Sequence, residues 1–139
     1  MNRKQNDINY GEKSEKEAKL VLEEKFGILN NTDKFYEFDY INDKYVIEIK
    51  SRRIEHNKYC SLFFGRNKYI KGEELLEKNS NLRIFYIWKC TDGYYYWEHN
   101  TTPYDICKRG RCDRGIDEYK DCIDVKTEYI NKLEDLELL

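Results

Sequence analysis

The sequence predicts a mixed α/β fold, in which helices flank a mixed sheet. Two segments have the periodicity of amphipathic helices, and several short segments rich in aromatic and β-branched residues are typical of strands. Hydrophobic residues form 40% of the 139-residue chain, which is enough for the core of one domain. We therefore expect a single domain over residues 1–139, with a core at about 11–98 and a C-terminal β extension at about 99–139.

The first helix is expected to begin at Ser14, in a Ser-x-x-Glu capping box, and to end at Gly27. At about 100° per residue, Leu22 and Phe26 lie on one apolar stripe of this helix, and Glu15 lies on the same stripe. A carboxylate on the buried face of a helix is costly unless a site requires it. Glu15 is therefore a candidate site residue.

A strand hairpin is expected after the first helix. Its strands are placed at 35–41 and 45–50, which are rich in aromatic and β-branched residues, and residues 42–44 are typical of a turn. Gly72, inside a second helix, would allow that helix to pack closely on the sheet. The later elements expected from the same signals are a loop and irregular approach at 51–64, a helix capped near Asn67 that runs from Lys68 to Lys78, strands at 82–90 and 94–97, a basic loop at 107–114, a last strand at 122–125 and a short helix from about Lys126.

The hairpin brings charged side chains to one side. Because alternate residues of a strand face the same way, Glu48 and Lys50 share a side. A two- or four-residue turn brings Asp39 to that side, opposite Val46 or Glu48, whereas a three-residue turn would require a bulge. Two carboxylates about 4 Å apart repel each other by roughly 4 kcal/mol at an effective dielectric near 20. Lys50 supplies part of the balancing charge, and a hard divalent cation such as Mg²⁺ would supply the rest.

Asp39 and the triplet Glu48-x-Lys50, in this order of helix, hairpin, helix and strand, resemble the PD-(D/E)xK nuclease superfamily. The resemblance covers roughly residues 11–90, and the nine-residue step from Asp39 to Glu48 is similar to that of phage-type junction-resolving endonucleases. It implies a restriction-endonuclease-like fold with an αβββαβ core. The first strand of that core falls in residues 28–34 and is either vestigial or merged with the next strand.

The resemblance also implies a function. It points to an endonuclease that depends on Mg²⁺ (or Mn²⁺) and hydrolyses the phosphodiester bonds of DNA. By that resemblance Asp39 and Glu48 are metal ligands and Glu15 is an auxiliary ligand. Lys50 is the catalytic cation, which orients the attacking water or stabilises the developing charge. Relatives that cut both strands commonly act in pairs, so a homodimer is allowed. The alternative is a non-catalytic nucleic-acid-binding module with a degenerate nuclease fold, and a third hypothesis is a protein-interaction domain.

Basic residues are concentrated just after the triplet. Residues 50–71 contain seven Lys and Arg against one Glu, a net charge of +6 in a chain whose formal net charge is −2. Such clustering is typical of a contact with the phosphate backbone, although a solvated surface cluster gives the same pattern. The residues expected to hold DNA are Arg52, Arg53, Arg66, Lys68, Arg111 and Arg114, the last two in a second basic cluster at 108–114.

Cysteine and histidine residues allow two other chemistries. Cys107, Cys112 and Cys122 together with His99 could bind Zn²⁺, but the chain has no Cys-x-x-Cys knuckle. A Cys–His nucleophile pair that uses His56 or His99 lacks any local signature. Thiols without a metal are the simpler interpretation.

The chain is expected to be intracellular and not secreted. Its N-terminus has no apolar stretch after the basic residues, as a secretory signal would have. Five cysteines, an odd number with irregular spacing, fit a reducing compartment. No uncharged apolar stretch approaches the roughly 20 residues that span a bilayer, so no membrane contact is expected.

Overall fold

Two helices, each followed by a run of strands, make up the described chain. The computed structural model describes residues 3–34, 36–109 and 120–138. Within these residues the elements are, in chain order, α1 (Arg3–Phe26), β1 (Asn30–Asn31), β2 (Tyr40–Ile41), β3 (Tyr45–Ser51), β4 (Ser61–Gly65), α2 (Arg66–Lys78), β5 (Arg83–Cys90), β6 (Gly93–Glu98), β7 (Asp105–Arg109), β8 (Lys120–Lys126) and β9 (Asn131–Lys132), with short 3-10 turns at Thr127–Tyr129 and Leu133–Asp135.

The strands form two sheets. The first has the order β1-β2-β3-β5-β6-β9, in which β3 and β5 run parallel and the other neighbours are antiparallel. The second, β4-β8-β7, is antiparallel. The predicted mixed α/β architecture is confirmed. β7 and β8, from the C-terminal range, form the second sheet together with β4. β1 is a separate strand of two residues, as the vestigial alternative predicts.

The two helices pack on opposite faces of the first sheet. Phe26 of α1 lies 5.0 Å from Phe85, between ring centroids. α2 lies on the other face, where a Cβ added to Gly72 would be 3.0 Å from Cε1 of His99 and 3.2 Å from the hydroxyl of Tyr86. Gly72 therefore allows the close packing that the sequence predicts. No helix in the described part of the chain is long and apolar enough to cross a membrane.

The start of α1 differs from the prediction and its end does not. The helix begins at Arg3, so Ser14 lies inside it and does not cap its start. No proline stands before Ser14 to stop the helix from extending toward the N-terminus. The helix ends where predicted, because Gly27 has a φ of +84° and its N–H donates to the carbonyl of Glu23 at 3.0 Å.

Several strand boundaries also differ from the prediction. β2 contains only two residues of the expected 35–41 strand. The expected loop at 51–64 ends in β4, and the described part of the expected loop at 107–114 belongs to β7. Both strands pair with β8. For β4 this partner lies far away along the chain, so a local pattern does not mark that strand. The helix expected after Lys126 is replaced by the 3-10 turns and β9.

Candidate active site

The hairpin of β2 and β3 brings Asp39 opposite Glu48. Tyr40 pairs with Ile47 in the register of these strands, and the backbone N–H of Asp39 donates to the carbonyl of Ile47 at 3.0 Å. The register leaves a two-residue turn at 43–44, because Asn42 bonds to Tyr45 across it. Of the turn lengths that the sequence leaves open, the two-residue turn is therefore the correct one, and it places Asp39 beside Glu48.

Asp39 is tied to the triplet by two hydrogen bonds. Its Oδ2 accepts the backbone N–H of Ile49 at 2.9 Å, and its side chain also hydrogen-bonds to that of Glu48. Asp39 is exposed, whereas Glu48 is only 5% exposed. One carboxylate of the pair thus lies at the surface and the other is buried.

Glu48 is buried with one oxygen unsatisfied. Its Oε2 has no hydrogen-bond partner among the described residues, and Nζ of Lys68 lies 3.7 Å from that oxygen. Burial, followed by the negative charge of Asp39, raises the pKa of Glu48 to about 8, and the positive charges of Lys68 and Lys50 offset this only in part. Burial of the Glu48 carboxylate is therefore only partly offset by its charged neighbours.

A hard divalent cation fits this arrangement. An unsatisfied, buried carboxylate oxygen beside a second carboxylate is a donor set that Mg²⁺ or Mn²⁺ would satisfy. Among the described residues no three His, Cys, Asp or Glu side chains form a metal cluster. The fit thus rests on Asp39 and Glu48, and Mg²⁺ commonly binds through one or two carboxylates while it keeps several waters.

Lys50 lies beside the carboxylates in a desolvated position. Burial, followed by the positive charge of Arg52, lowers the pKa of Lys50. Its Nζ is 5.7 Å from the ring centroid of Phe63, and Cζ of Arg52 is 5.0 Å from the same centroid. Both cations therefore lie over the ring of Phe63, which interacts with each of them by a cation–π contact.

Phe63 is a site residue that the sequence interpretation missed. It lies in β4, which was expected to be loop. The available signal was the alternation along this segment, where Leu62 and Phe64 are buried and Phe63 faces the other way. A strand assignment there would have placed Phe63 outside the core.

Glu15 is not grouped with the other candidate residues. Its side chain is exposed, so the expectation that it continues the buried stripe of α1 is wrong. The stripe is buried only from Ala18 onward among the described side chains. The charge of Glu15 contributes to raising the pKa of Tyr40, after burial and the charge of Asp39. Tyr40 packs on the α1 side of the sheet, the face opposite to Glu48.

The basic residues near the site have different surroundings. Arg53 is exposed and Arg52 is half-buried. Arg66 is exposed and donates to Oδ2 of Asp121 at 3.1 Å. Lys68, expected to hold DNA, points to Glu48. The second cluster lies outside the described residues at Arg111 and Arg114.

The chain matches a known protein family over most of its length. A family model described as "Phage putative PDDEXK endonuclease" matches residues 12–133. No curated protein matches the chain, and no solved structure matches it. The matched range includes all of the candidate site described above.

Proposed function

Because the chain belongs to the family of phage PDDEXK endonucleases, we propose that it is a metal-dependent endonuclease that hydrolyses DNA phosphodiester bonds. The observation that carries the proposal is the unsatisfied Oε2 of Glu48 beside Asp39. Folding that brings two carboxylates and an amine together out of water costs desolvation free energy. A bound cation and an anionic substrate would offset that cost.

Asp39 and Glu48 would hold the metal, Mg²⁺ or Mn²⁺. When bound, it would polarise the scissile phosphate and lower the pKa of a coordinated water. The hydrogen bond from Ile49 to Asp39 fixes one of the two carboxylates against the backbone of the triplet. Glu15 is left out of this set because no third carboxylate joins Asp39 and Glu48 in a metal-binding cluster among the described residues.

Lys50 would act on the attacking water or on the developing negative charge. Its lowered pKa brings the amine closer to a form that can exchange a proton near neutral pH. The Phe63 ring restricts where the ammonium group can lie, which suits a group that must be positioned before the substrate arrives.

The DNA backbone would be held by cations around the site. Arg52 and Arg53 follow Lys50 directly, and Lys68 lies within reach of Glu48. Arg66, Arg111 and Arg114 extend the predicted contact. Family members mostly cut DNA, which is the basis for proposing DNA and not RNA as the substrate.

The proposal is tested by plasmid nicking with the purified chain in Mg²⁺ or Mn²⁺. We expect Asp39→Asn and Lys50→Met each to lower the cleavage rate at least about 100-fold, while circular dichroism shows an unchanged fold. Asp43→Asn and Lys44→Met, in the exposed turn of the same hairpin, are matched controls and should cleave normally.

Two results would contradict the proposal. Nicking by Asp39→Asn and Lys50→Met at the rate of the unaltered chain would exclude this site. A gel shift of DNA with no product in either metal would instead favour the alternative of a non-catalytic nucleic-acid-binding module.

A further inference from the structure

His56 is held in one orientation by the turn between β5 and β6. Its backbone N–H donates to Oδ1 of Asp92 at 3.0 Å, and its Nδ1 lies 2.5 Å from Oδ2 of the same carboxylate. The imidazole ring stacks on Tyr95, with 3.9 Å between ring centroids and 13° between planes. The hydroxyl of Tyr95 also donates to Asp92 at 3.2 Å. Two residues, Asp92 and Tyr95, thus fix His56 through three contacts.

His56 lies on the same face of the sheet as the candidate active site. Lys50 pairs with Trp88, and Trp88 pairs with Tyr95, so these three side chains form a row across β3, β5 and β6. Paired residues of neighbouring strands face the same side. Tyr95 therefore lies about two interstrand spacings, or about 10 Å, from Lys50 along this row, and His56 stacks on the ring of Tyr95.

One ring atom of His56 is left for a ligand. The side chain is 25% exposed, and among the described residues no group hydrogen-bonds to its Nε2. Burial alone would raise the pKa of Asp92, but the hydrogen bonds from His56 outweigh burial and lower that pKa. Asp92 is therefore a charged acceptor for Nδ1–H, and the ring can offer a second proton from Nε2 when it is an imidazolium.

The chain segment that carries His56 is rich in basic residues. Arg52, Arg53 and Lys58 belong to the same segment, in which Glu55 is the one acidic residue between positions 51 and 60. An anion at Nε2 and the carboxylate at Nδ1 would place negative charge on both sides of the imidazolium, which is a favourable arrangement.

We propose that His56 is a further phosphate-binding residue, whose Nε2–H donates to a backbone phosphate of nucleic acid that also occupies the site at Lys50. The inference rests on the proposed function, since that function supplies the ligand. Asp92 and Tyr95 are positioning residues in this arrangement, because they touch His56 and not the phosphate.

The test is equilibrium binding of a labelled DNA duplex by fluorescence anisotropy in EDTA, where metal-dependent cleavage is suppressed. We expect His56→Ala to weaken binding at least about fivefold and to reduce the slope of log K against log salt by about 1. His56→Arg should bind within about twofold of the unaltered chain, because a guanidinium also binds phosphate.

Asp92→Asn separates positioning from overall charge. Removing an acidic residue near DNA should tighten binding by simple electrostatics, but we expect weaker binding, because His56 loses its charged partner. Glu55→Gln, which removes an acidic residue from the same segment, is the matched control and should bind as tightly as the unaltered chain or more tightly. Melting temperatures of all variants separate these effects from unfolding.

Three results would overturn the inference: unchanged affinity of His56→Ala, equal loss in His56→Arg and His56→Ala, or tighter binding by Asp92→Asn. Absence of DNA binding by the unaltered chain would overturn it as well. Failure of the proposed function is distinguishable, since it would leave binding dependent on His56 but give no cleavage in Mg²⁺ or Mn²⁺.

Discussion

The charge on Glu48 opposes folding when no metal is bound. Burial and the charge of Asp39 raise its pKa from 4.5 to about 8, so the folded chain binds this proton more tightly than the unfolded chain does. The free energy of unfolding therefore falls as the pH rises from about 4.5 to about 8. Since one pKa unit corresponds to about 1.4 kcal/mol, the loss is on the order of a few kcal/mol.

We expect Glu48→Gln to flatten this pH dependence, because glutamine has no proton to lose. In EDTA, chemical denaturation between about pH 5 and about pH 8.5 should show falling stability for the unaltered chain, with the variant more stable at the upper end. Glu77→Gln, at an exposed position of α2, should keep the slope of the unaltered chain. Parallel curves for Glu48→Gln and the unaltered chain would contradict the assignment of this slope to Glu48.

Gly72 is a second single residue with a predictable effect. We expect Gly72→Ala to destabilise the chain by about 1–3 kcal/mol, because the added Cβ meets His99 at 3.0 Å and the Tyr86 hydroxyl at 3.2 Å. Helix propensity alone predicts the opposite sign, a gain of up to about 1 kcal/mol. Urea denaturation measures the sign directly, with Glu77→Ala as the control in the same helix. A more stable Gly72→Ala would mean that His99 can move aside.

At the scale of elements, a series of hydrogen bonds that runs from the surface into the core joins α2 to the first sheet. Nε2 of His99 lies 2.9 Å from Oε1 of Glu73 on α2, and Nδ1 of His99 lies 2.8 Å from the hydroxyl of Tyr86 on β5. Burial lowers the pKa of His99, although the bond and charge of Glu73 act against it. A neutral His99 ring donates from Nε2 to Glu73 and accepts at Nδ1 from the hydroxyl of Tyr86, so both ring nitrogens have a hydrogen-bond partner.

We expect Tyr86→Phe to lower the free energy of unfolding by about 1–3 kcal/mol, because Nδ1 of the buried His99 loses its partner. Tyr94→Phe is the matched control, since the hydroxyl of Tyr94 makes no hydrogen bond within the described residues. Thermal denaturation of both variants at the same pH measures the difference. Equal melting temperatures would show that the hydrogen bond adds nothing to the packing of this tyrosine.

At the scale of the whole molecule, the site lies where the two sheets meet. Lys50 belongs to β3 of the first sheet, and the Phe63 ring beneath its ammonium belongs to β4 of the second. The indole N–H of Trp88 donates to the carbonyl of Phe63 at 3.1 Å and ties the sheets together there. A cation bound to Asp39 and Glu48 would therefore stabilise the folded chain as a whole.

We expect Mn²⁺ to raise the melting temperature of the unaltered chain, because a ligand that binds only the folded state adds RT ln(1 + [L]/Kd), about 2.7 kcal/mol at 100 times Kd. Glu48→Gln should abolish this shift. Glu15→Gln should retain it, because Glu15 is exposed and outside the carboxylate pair. A shift lost in Glu15→Gln would return Glu15 to the metal set as an auxiliary ligand.

The sequence by itself determined the parts of the site that depend on neighbours along the chain. Alternation and a short turn bring Asp39, Glu48 and Lys50 to one side of a hairpin, because these effects act within a dozen residues. Only the tertiary structure decided how deeply Glu48 is buried, that Glu15 is exposed and that Phe63 supports the cations. The exposure of Glu15 depends on where α1 docks, the burial of Glu48 on the packing of α2 against the opposite face of the sheet, and the position of Phe63 on the pairing of β4 with β8. Contacts between distant segments leave no periodic signal in either segment.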